Sequence, residues 1–333
     1  MTRPMRYGFV AALSFCLLPA AGSAMPQAQK KPLDATTLLA LVAGNALPEN
    51  IVAILGTRGL AFTPTEGYKT QLSTAGATAE VLRAVNKATV RPGAEEEHPM
   101  QEIDGRQHLA LAGNLIRNNQ YEGAKKEVAA AFRVSGRKPA AGFVMAELLR
   151  RREEWVVGAT VLEEVARYEP DFPELRTKLS FLLYRAGQDE DSLREAKAAL
   201  QDNPNSAEAH KNAALALEDM KKFDAAEQEY REALRLKPDY ENVHYDLGIL
   251  LYDKNDLDGA IVEYKKALAL NPSDVDAHFN LACVFQNKME YDSAIRELLE
   301  AKKLDPQNPD VRRNLEVVKK RLQELEQQSA GVN

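Results

Sequence analysis

A proline recurs every 34 residues through the second half of this 333-residue chain. The series runs without a slip through Pro170, Pro204, Pro238, Pro272 and Pro306. A fixed period of this length is typical of repeat architectures, in which each repeat is one supersecondary unit that stacks on the next. Numbering the proline as position 32 predicts six repeats, at 105–138, 139–172, 173–206, 207–240, 241–274 and 275–308.

Side-chain size follows the same period. Position 8 is always small, as Ala112, Ala146, Ser180, Ala214, Gly248 and Ala282, and so is position 20, as Ala124, Gly158, Ser192, Ala226, Ala260 and Ala294. Small residues recur where helix axes approach closely, so each repeat is predicted to be two antiparallel helices that end near the proline. Repeat 3 departs from the pattern with Asp189 at position 17 and Ala196 at position 24. Its second helix is therefore predicted to pack less well.

These small positions, the mostly large residues at position 17 and the proline at position 32 resemble the tetratricopeptide-repeat (TPR) family over residues 105–308. The chain is identified on that basis as a bacterial, exported member of the family. The resemblance implies an all-α, right-handed superhelical solenoid. It also implies a concave groove that the first helix of each repeat lines through positions 2, 5, 6, 9, 12 and 13.

Both ends of the chain carry further signals. Arg3 and Arg6, a mainly apolar run at 7–21 and small residues up to Ala24 predict a signal peptide at 1–24, and hence a periplasmic or secreted protein. An uncleaved membrane anchor is the alternative, and a linker is predicted at 25–33. An apolar stripe predicts a helix at 309–328 that caps the last repeat, before a tail at 329–333: Val311, Leu315, Val318, Leu322 and Leu325.

Residues 34–90 are predicted to form a small module of four short helices with a marginal core of its own. Thr63 is predicted to cap the third helix, with Pro64 in its first turn. The module has no histidine and no cysteine, and its role cannot be assigned from sequence. Proline, glycine and a glutamate run predict a linker at 91–104.

No residue pattern predicts catalysis, a cofactor or a metal site. His210, His244 and His278 all occupy position 4, but stacked repeats hold such rings about 8–10 Å apart, too far to share one ion. Cys283 has no adjacent base and is predicted to pack in the array. The net charge of −6, or −8 once Arg3 and Arg6 are removed, argues against nucleic-acid binding. No small-molecule substrate is predicted, and membrane contact is expected only if the signal segment is retained.

The resemblance assigns the predicted binding surface to the groove positions of the array. These candidate residues are basic early, acidic late and aromatic between: Arg117, Arg150, Arg151, Lys178, Tyr184, Arg185, Asn212, Asp219, Tyr245, Asp246, Tyr252, Asp253, Phe279 and Asn280. Such a groove suits an extended segment of opposite polarity, anchored by aromatic contacts. The predicted function is a non-catalytic, protein-binding scaffold of the cell envelope. A spacer in an envelope assembly complex, or an enzyme with its chemistry in residues 34–90, are the alternatives.

Overall fold

The structure, a computed structural model, describes residues 30–91, 100–134 and 138–330, with no side-chain detail for 100–103 and 328–330. The predicted signal peptide and the tail at 331–333 lie outside these residues. The described chain is helical apart from isolated β-bridges, which confirms the predicted all-α fold. None of the helices in the described part is long and apolar enough to cross a membrane.

Four helices come first and twelve follow as six pairs. The first four are α1 Ala35–Ala43, α2 Pro48–Arg58, α3 Glu66–Ala75 and α4 Ala79–Lys87. The pairs are α5 Met100–Arg117 with α6 Tyr121–Val134, α7 Lys138–Arg151 with α8 Trp155–Tyr168, α9 Leu175–Arg185 with α10 Asp189–Asp202, α11 Ala207–Asp219 with α12 Phe223–Leu236, α13 Glu241–Asp253 with α14 Leu257–Leu270, and α15 Val275–Asn287 with α16 Tyr291–Leu304.

One backbone feature recurs in the turn inside every pair. Position 15 has a positive φ in all six repeats: Asn119, Glu153, Gly187, Lys221, Asn255 and Met289. A left-handed residue ends a helix by turning the chain out of its axis. The turn is therefore set by backbone geometry, and only repeat 3 uses the glycine that suits this conformation best.

The first four helices do not form a separate module, which corrects the prediction of a marginal core of their own. All nine residues of α1 are buried, and the helix packs against α5 and α7, while α3 packs against α5. One hydrophobic core runs without a break from Leu33 to Leu183. The close approach depends on Gly113 of α5, where an added Cβ would lie 2.8 Å from the Cα of Ala43.

The predicted linkers are partly wrong for the same reason. Leu33, assigned to the linker at 25–33, is buried and forms a parallel bridge with Leu60, which bridges Val90 in turn. Helix α5 already begins at Met100, inside the predicted linker at 91–104. The cap of α3 is also shifted: the Thr65 side chain accepts the backbone N–H of Tyr68, so the helix begins two residues later than predicted.

The hydrophobic core divides at repeat 3, the repeat whose sequence departs from the pattern. A second core cluster begins at Ala214. Between the two clusters lies a buried polar network, in which the Ser192 hydroxyl donates to the Ser180 carbonyl at 2.8 Å and the Asn212 amide donates to the Thr177 carbonyl at 2.9 Å. Helix α10 still packs against both α9 and α11, with Ser192, Ala196 and Ala199 buried.

Helix α17, Pro309–Ala330, packs against α16 and covers the end of the array. Its apolar stripe lies against the last repeat, where Val311, Leu315 and Val318 are buried. The opposite side of the helix is charged and exposed. This is the arrangement that a solenoid requires at an open end.

Candidate binding groove

Helix α1 occupies the groove side of the first two repeats. Phe143, at position 5 of repeat 2, is fully buried, and a Cβ on Gly44 would lie 2.5 Å from its ring. The neighbouring groove positions Leu109, Ala110 and Val144 are buried as well. The first part of the predicted groove is therefore filled by the protein's own chain.

Arg117, the first predicted groove residue, serves this packing. Its guanidinium donates to the carbonyl of Ala75 and, at 2.6 Å, to that of Thr74. Both carbonyls lie at the C-terminal end of α3, where cations complement the helix dipole. Arg117 therefore caps an internal helix and is not displayed in an open groove.

A buried carboxylate that was not predicted as a functional residue organises the basic residues of the groove. Glu147 of α7 is 0% exposed and accepts from Arg150 at 2.8 Å, Arg151 at 3.2 Å and Lys178 at 2.9 Å. Desolvation on burial opposes its charge, but Lys178 and Arg150 lower the pKa of Glu147 to about 2. Three cations predicted to face a partner are thus tied to one internal anion.

The open groove begins where α1 ends. It has a volume of about 610 Å³ and is lined by Asn45, Leu47, Arg150, Lys178, Phe181, Tyr184, Arg185, Glu208, Lys211, Leu215, Glu241, Asn242, Tyr245, Asp246, Asp274 and Asp276. Nearly all of these residues belong to first helices of repeats, from α7 to α15. From repeat 3 onward the lining of this groove therefore comes mainly from first helices.

Contacts that span long stretches of sequence fix the N-terminal helices along this groove. Asn50 donates to Glu174 at 2.9 Å, and the Lys237 ammonium pairs with Glu49 at 2.8 Å. Lys30 pairs with Asp202 at 2.7 Å. The N-terminal segment beside the groove is consequently anchored on repeats 3 and 4.

Two aromatic residues at predicted groove positions, one of which lines the open groove, are held by neighbouring amides. The Tyr245 hydroxyl accepts from the Asn280 amide at 3.0 Å, and the Tyr252 hydroxyl accepts from Asn287 at 2.8 Å. Burial and then nearby carboxylates raise the pKa of both Tyr184 and Tyr245 to about 12. These phenols therefore stay neutral and can donate hydrogen bonds to a ligand.

Two other candidate residues are less available than predicted. Asn212 is fully buried, and its amide donates to Thr177 and Ser180 of the preceding repeat. Phe279 is half-buried and packs against the second core cluster. Asn212 is therefore wrong as a groove contact, because its amide already binds backbone within the protein.

The charged residues beyond the Glu147 network remain available. Arg185 is exposed, with its guanidinium 4.1 Å from the centre of the Trp155 ring. Asp219 and Asp253 are exposed on α11 and α13. Asp246 lies half-buried between them in the lining of the groove, and burial is the largest cause that raises its pKa to about 7.

The histidines at position 4 have a structural role that the sequence did not reveal. The Nδ1 atoms of His210, His244 and His278 lie 2.6–2.7 Å from the glutamate at position 23 of the same repeat. Their Nε2 atoms lie 3.0–3.2 Å from the carbonyl of the proline that closes the preceding repeat. Each ring therefore links the proline turn that ends one repeat to the second helix of the next repeat. Among the described residues, no group of His, Cys, Asp and Glu is placed to hold a metal.

Cys283 lies half-buried in the last repeat, where the Asn314 amide contacts its sulfur at 3.7 Å. Burial raises the pKa of the thiol. A raised pKa leaves less of the nucleophilic thiolate at neutral pH. The predicted packing role fits this environment.

Two family models match the later repeats of the array. A family described as TPR repeat matches residues 219–254 and 250–288, and the family Tetratricopeptide repeat matches residues 275–308. A search of curated proteins gave no significant match.

Several solved structures share the fold at low sequence identity. PilW, a type IV pilus biogenesis factor, is 17% identical with a TM-score of 0.59, over 66% of this chain and 99% of its own. PilF of Pseudomonas aeruginosa is 16% identical with a TM-score of 0.56, over 65% and 98%. A chain of the APC/C hetero-tetramer Cut9–Hcn1 is 16% identical with a TM-score of 0.58, over 64% of this chain and 42% of its own. The family matches show tetratricopeptide repeats over residues 219–308, and the helix pairs α5 to α10 precede them with the same 34-residue period.

Proposed function

We propose that this protein is a non-catalytic scaffold of the cell envelope that binds an extended segment of a partner protein in its open groove. The proposal rests on a difference between the two parts of the array: the same helix face is covered in one part and open in the other. The first helices of repeats 1 and 2 are covered by α1, whereas those of repeats 3 to 6 line an uncovered groove of about 610 Å³. A polar and aromatic groove of this kind suits an extended chain better than a compact apolar ligand.

The charges of the groove give the bound segment a direction. Arg185 and the cations around Glu147 lie near the wall formed by α1 and α2, while Asp253 and Asp276 lie toward the last repeats. A segment with acidic residues at one end and basic residues at the other would match this distribution. Such complementarity contributes more to orientation and association rate than to affinity.

Charge reversal of three exposed acids on first helices, one of which lines the groove, tests the proposal. We choose Asp219→Lys, Asp253→Lys and Asp276→Lys in one variant, because these residues are exposed on α11, α13 and α15. Reversal of Arg150 and Arg151 would be unsuitable, since both hold the buried Glu147. A display selection of random dodecapeptides against the wild type supplies binding clones.

The matched control reverses three exposed acids on second helices: Glu163→Lys, Glu190→Lys and Asp292→Lys. It changes the net charge equally but leaves the groove intact. We expect recovery of the selected clones to fall about tenfold or more with the groove variant, as for the loss of a charged contact, and to persist with the control. Clones that bind all three proteins equally would place binding on another surface. Helical circular dichroism of both variants checks that they fold.

The envelope location forms a separate part of the proposal. It rests on the positive start and the apolar run at 7–21. Fusion of residues 1–40 to a reporter enzyme that is active only outside the cytoplasm should give activity. A fusion with Leu17→Arg and Leu18→Arg should give none, because charge in the apolar run prevents export. Equal activity from the two fusions would contradict an exported protein.

A further inference from the structure

Repeat position 6, which lies in the first helix, binds the preceding repeat in three of the four repeats along the open groove. In repeat 3 the Lys178 ammonium binds Glu147 of the preceding repeat, and in repeat 4 the Asn212 amide binds Thr177. In repeat 6 the Asn280 amide binds the Tyr245 hydroxyl, again one repeat back. Three polar side chains at this position thus serve to join neighbouring repeats.

Repeat 5 carries Asp246 at that position. Within the part of the chain that the structure describes, its carboxylate makes no side-chain hydrogen bond and no ion pair, although it is half-buried and lines the groove. Lys211 of α11, the first helix of the preceding repeat, is close enough to lower the pKa of Asp246. The Lys211 ammonium lies instead 5.5 Å from the centre of the Phe181 ring and 5.4 Å from that of Tyr240.

The charges that act on Asp246 come from several elements. Burial raises its pKa most strongly, Lys211 lowers it, and Glu218 and Glu241 raise it, so that it lies at about 7. Its charge in turn acts on the phenols of Tyr184 of α9 and Tyr230 of α12. A carboxylate that is buried without hydrogen-bond donors is costly, and a ligand that supplies donors relieves this cost.

We propose that Asp246 determines the sequence preference of the groove by pairing with a lysine or arginine side chain of the bound segment. The inference rests on the proposed function, since it assigns one residue of the same groove to one residue class of its ligand. Tyr184 and Tyr245 line the same groove, and the charge of Asp246 acts on both phenols. Their rings offer the faces on which the alkyl part and the charge of such a side chain pack.

Two pools of acetylated and amidated decapeptides test the inference. Both pools are random except for one central residue, which is lysine in the first pool and norleucine in the second. Fluorescence anisotropy measures their binding to the full protein at about pH 8, above the pKa of Asp246, so that the carboxylate is ionised. We expect the lysine pool to bind the wild type about tenfold more tightly, as is usual for a charge-assisted hydrogen bond.

Two variants identify the residue responsible. Asp246→Asn should remove the preference for lysine, while Asp292→Asn, which neutralises an exposed carboxylate on the second helix α16, should keep it. A preference that survives in Asp246→Asn, or disappears equally in Asp292→Asn, would overturn the assignment to Asp246. Equal binding of both pools by the wild type would overturn the inference and leave the proposed function standing. Failure of both pools to bind would overturn both.

A folding control distinguishes a loss of binding specificity from a loss of structure. Asp246→Asn removes no hydrogen bond that holds the repeats together, in contrast to a change at Asn212. Its thermal midpoint should therefore not fall below that of the wild type. A midpoint lower by more than about 5 °C would show that Asp246 has a structural role, and this result would also overturn the inference.

Discussion

The two parts of the repeat array use the same helix pairs for different purposes. In repeats 1 and 2 the first helices, α5 and α7, are covered by α1, whose nine residues are all buried. In repeats 3 to 6 the first helices line an open groove. The groove face of a solenoid is therefore interior in one part of this molecule and surface in the other.

Side-chain chemistry at equivalent positions decides between these two uses. Positions 5 and 6 are Leu109 and Ala110 in repeat 1, and Phe143 and Val144 in repeat 2, all buried. The same positions hold polar or charged residues in most of the later repeats. Apolar side chains at groove positions are stabilised when another part of the protein shields them from water. The N-terminal helices of the same chain provide this shielding.

The largest expected effect concerns Glu147, which lies at the boundary between the two parts. Glu147→Gln leaves the positive charges of Arg150, Arg151 and Lys178 without their internal anion. Loss of one partner from a buried ionic network usually costs about 3 to 5 kcal/mol. We expect this loss in the free energy of unfolding, measured by denaturant titration at neutral pH.

The pH dependence of this effect has a defined sign. The folded-state pKa of Glu147, about 2, lies below the usual glutamate value. Its stabilisation is therefore present above about pH 4.3 and is lost as the pH falls toward 2, so the two proteins should converge in acid. Glu122→Gln is the control, because Glu122 also binds an arginine, Arg152, but its side chain is 80% exposed. A loss in the control as large as that in Glu147→Gln would rule out burial as the cause.

The next prediction tests whether the N-terminal helices unfold together with the repeat array or as a separate unit. Leu39 of α1 is fully buried, so Leu39→Ala should lower the free energy of unfolding by about 2 to 5 kcal/mol. Leu111→Ala, at an exposed leucine of α5, should change it by about 0.5 kcal/mol or less. Helical circular dichroism during denaturation measures both. If Leu39→Ala melted α1 while the array kept its midpoint, the N-terminal helices would be a separate unit.

The repeat fold could be predicted because it depends on a local and recurring pattern. A small residue at position 8 or 20 has the same cause in every repeat, namely the close approach of helix axes. The departure of repeat 3 was visible from Asp189 and Ala196, and the hydrophobic core does divide there. The right-handed superhelix and the site residues remain predictions.

The cover of the first groove could not be read from the charged and aromatic positions alone. Leu109, Ala110, Gly113 and Val144 carried the signal, since apolar and small groove positions indicate that something packs on them. The role of Glu147 was hidden for another reason. Its partners come from two repeats, and the period does not show which long side chains meet.

The smallest expected effect tests whether ionic links hold the later repeats, where the first repeats use apolar packing. Burial opposes the charge of His210, but hydrogen bonds to Glu229 and the Pro204 carbonyl outweigh it and raise its pKa. Stability from this link is therefore full below about pH 6.5 and is lost as the pH rises through the folded-state pKa. His210→Gln should cost about 1 kcal/mol in acid and less in alkali.

Repeat 3 supplies the control for that measurement. Arg176 occupies the same position and pairs with Glu195 at 3.0 Å, but arginine keeps its charge throughout this pH range. The loss in Arg176→Gln, measured by denaturant titration from about pH 6 to 9, should thus stay constant while that of His210→Gln shrinks. Parallel losses in the two variants would mean that His210 contributes through packing. The later repeats would then be held together by side-chain packing, as the first ones are. The two parts would differ only in whether the groove face is covered by other helices.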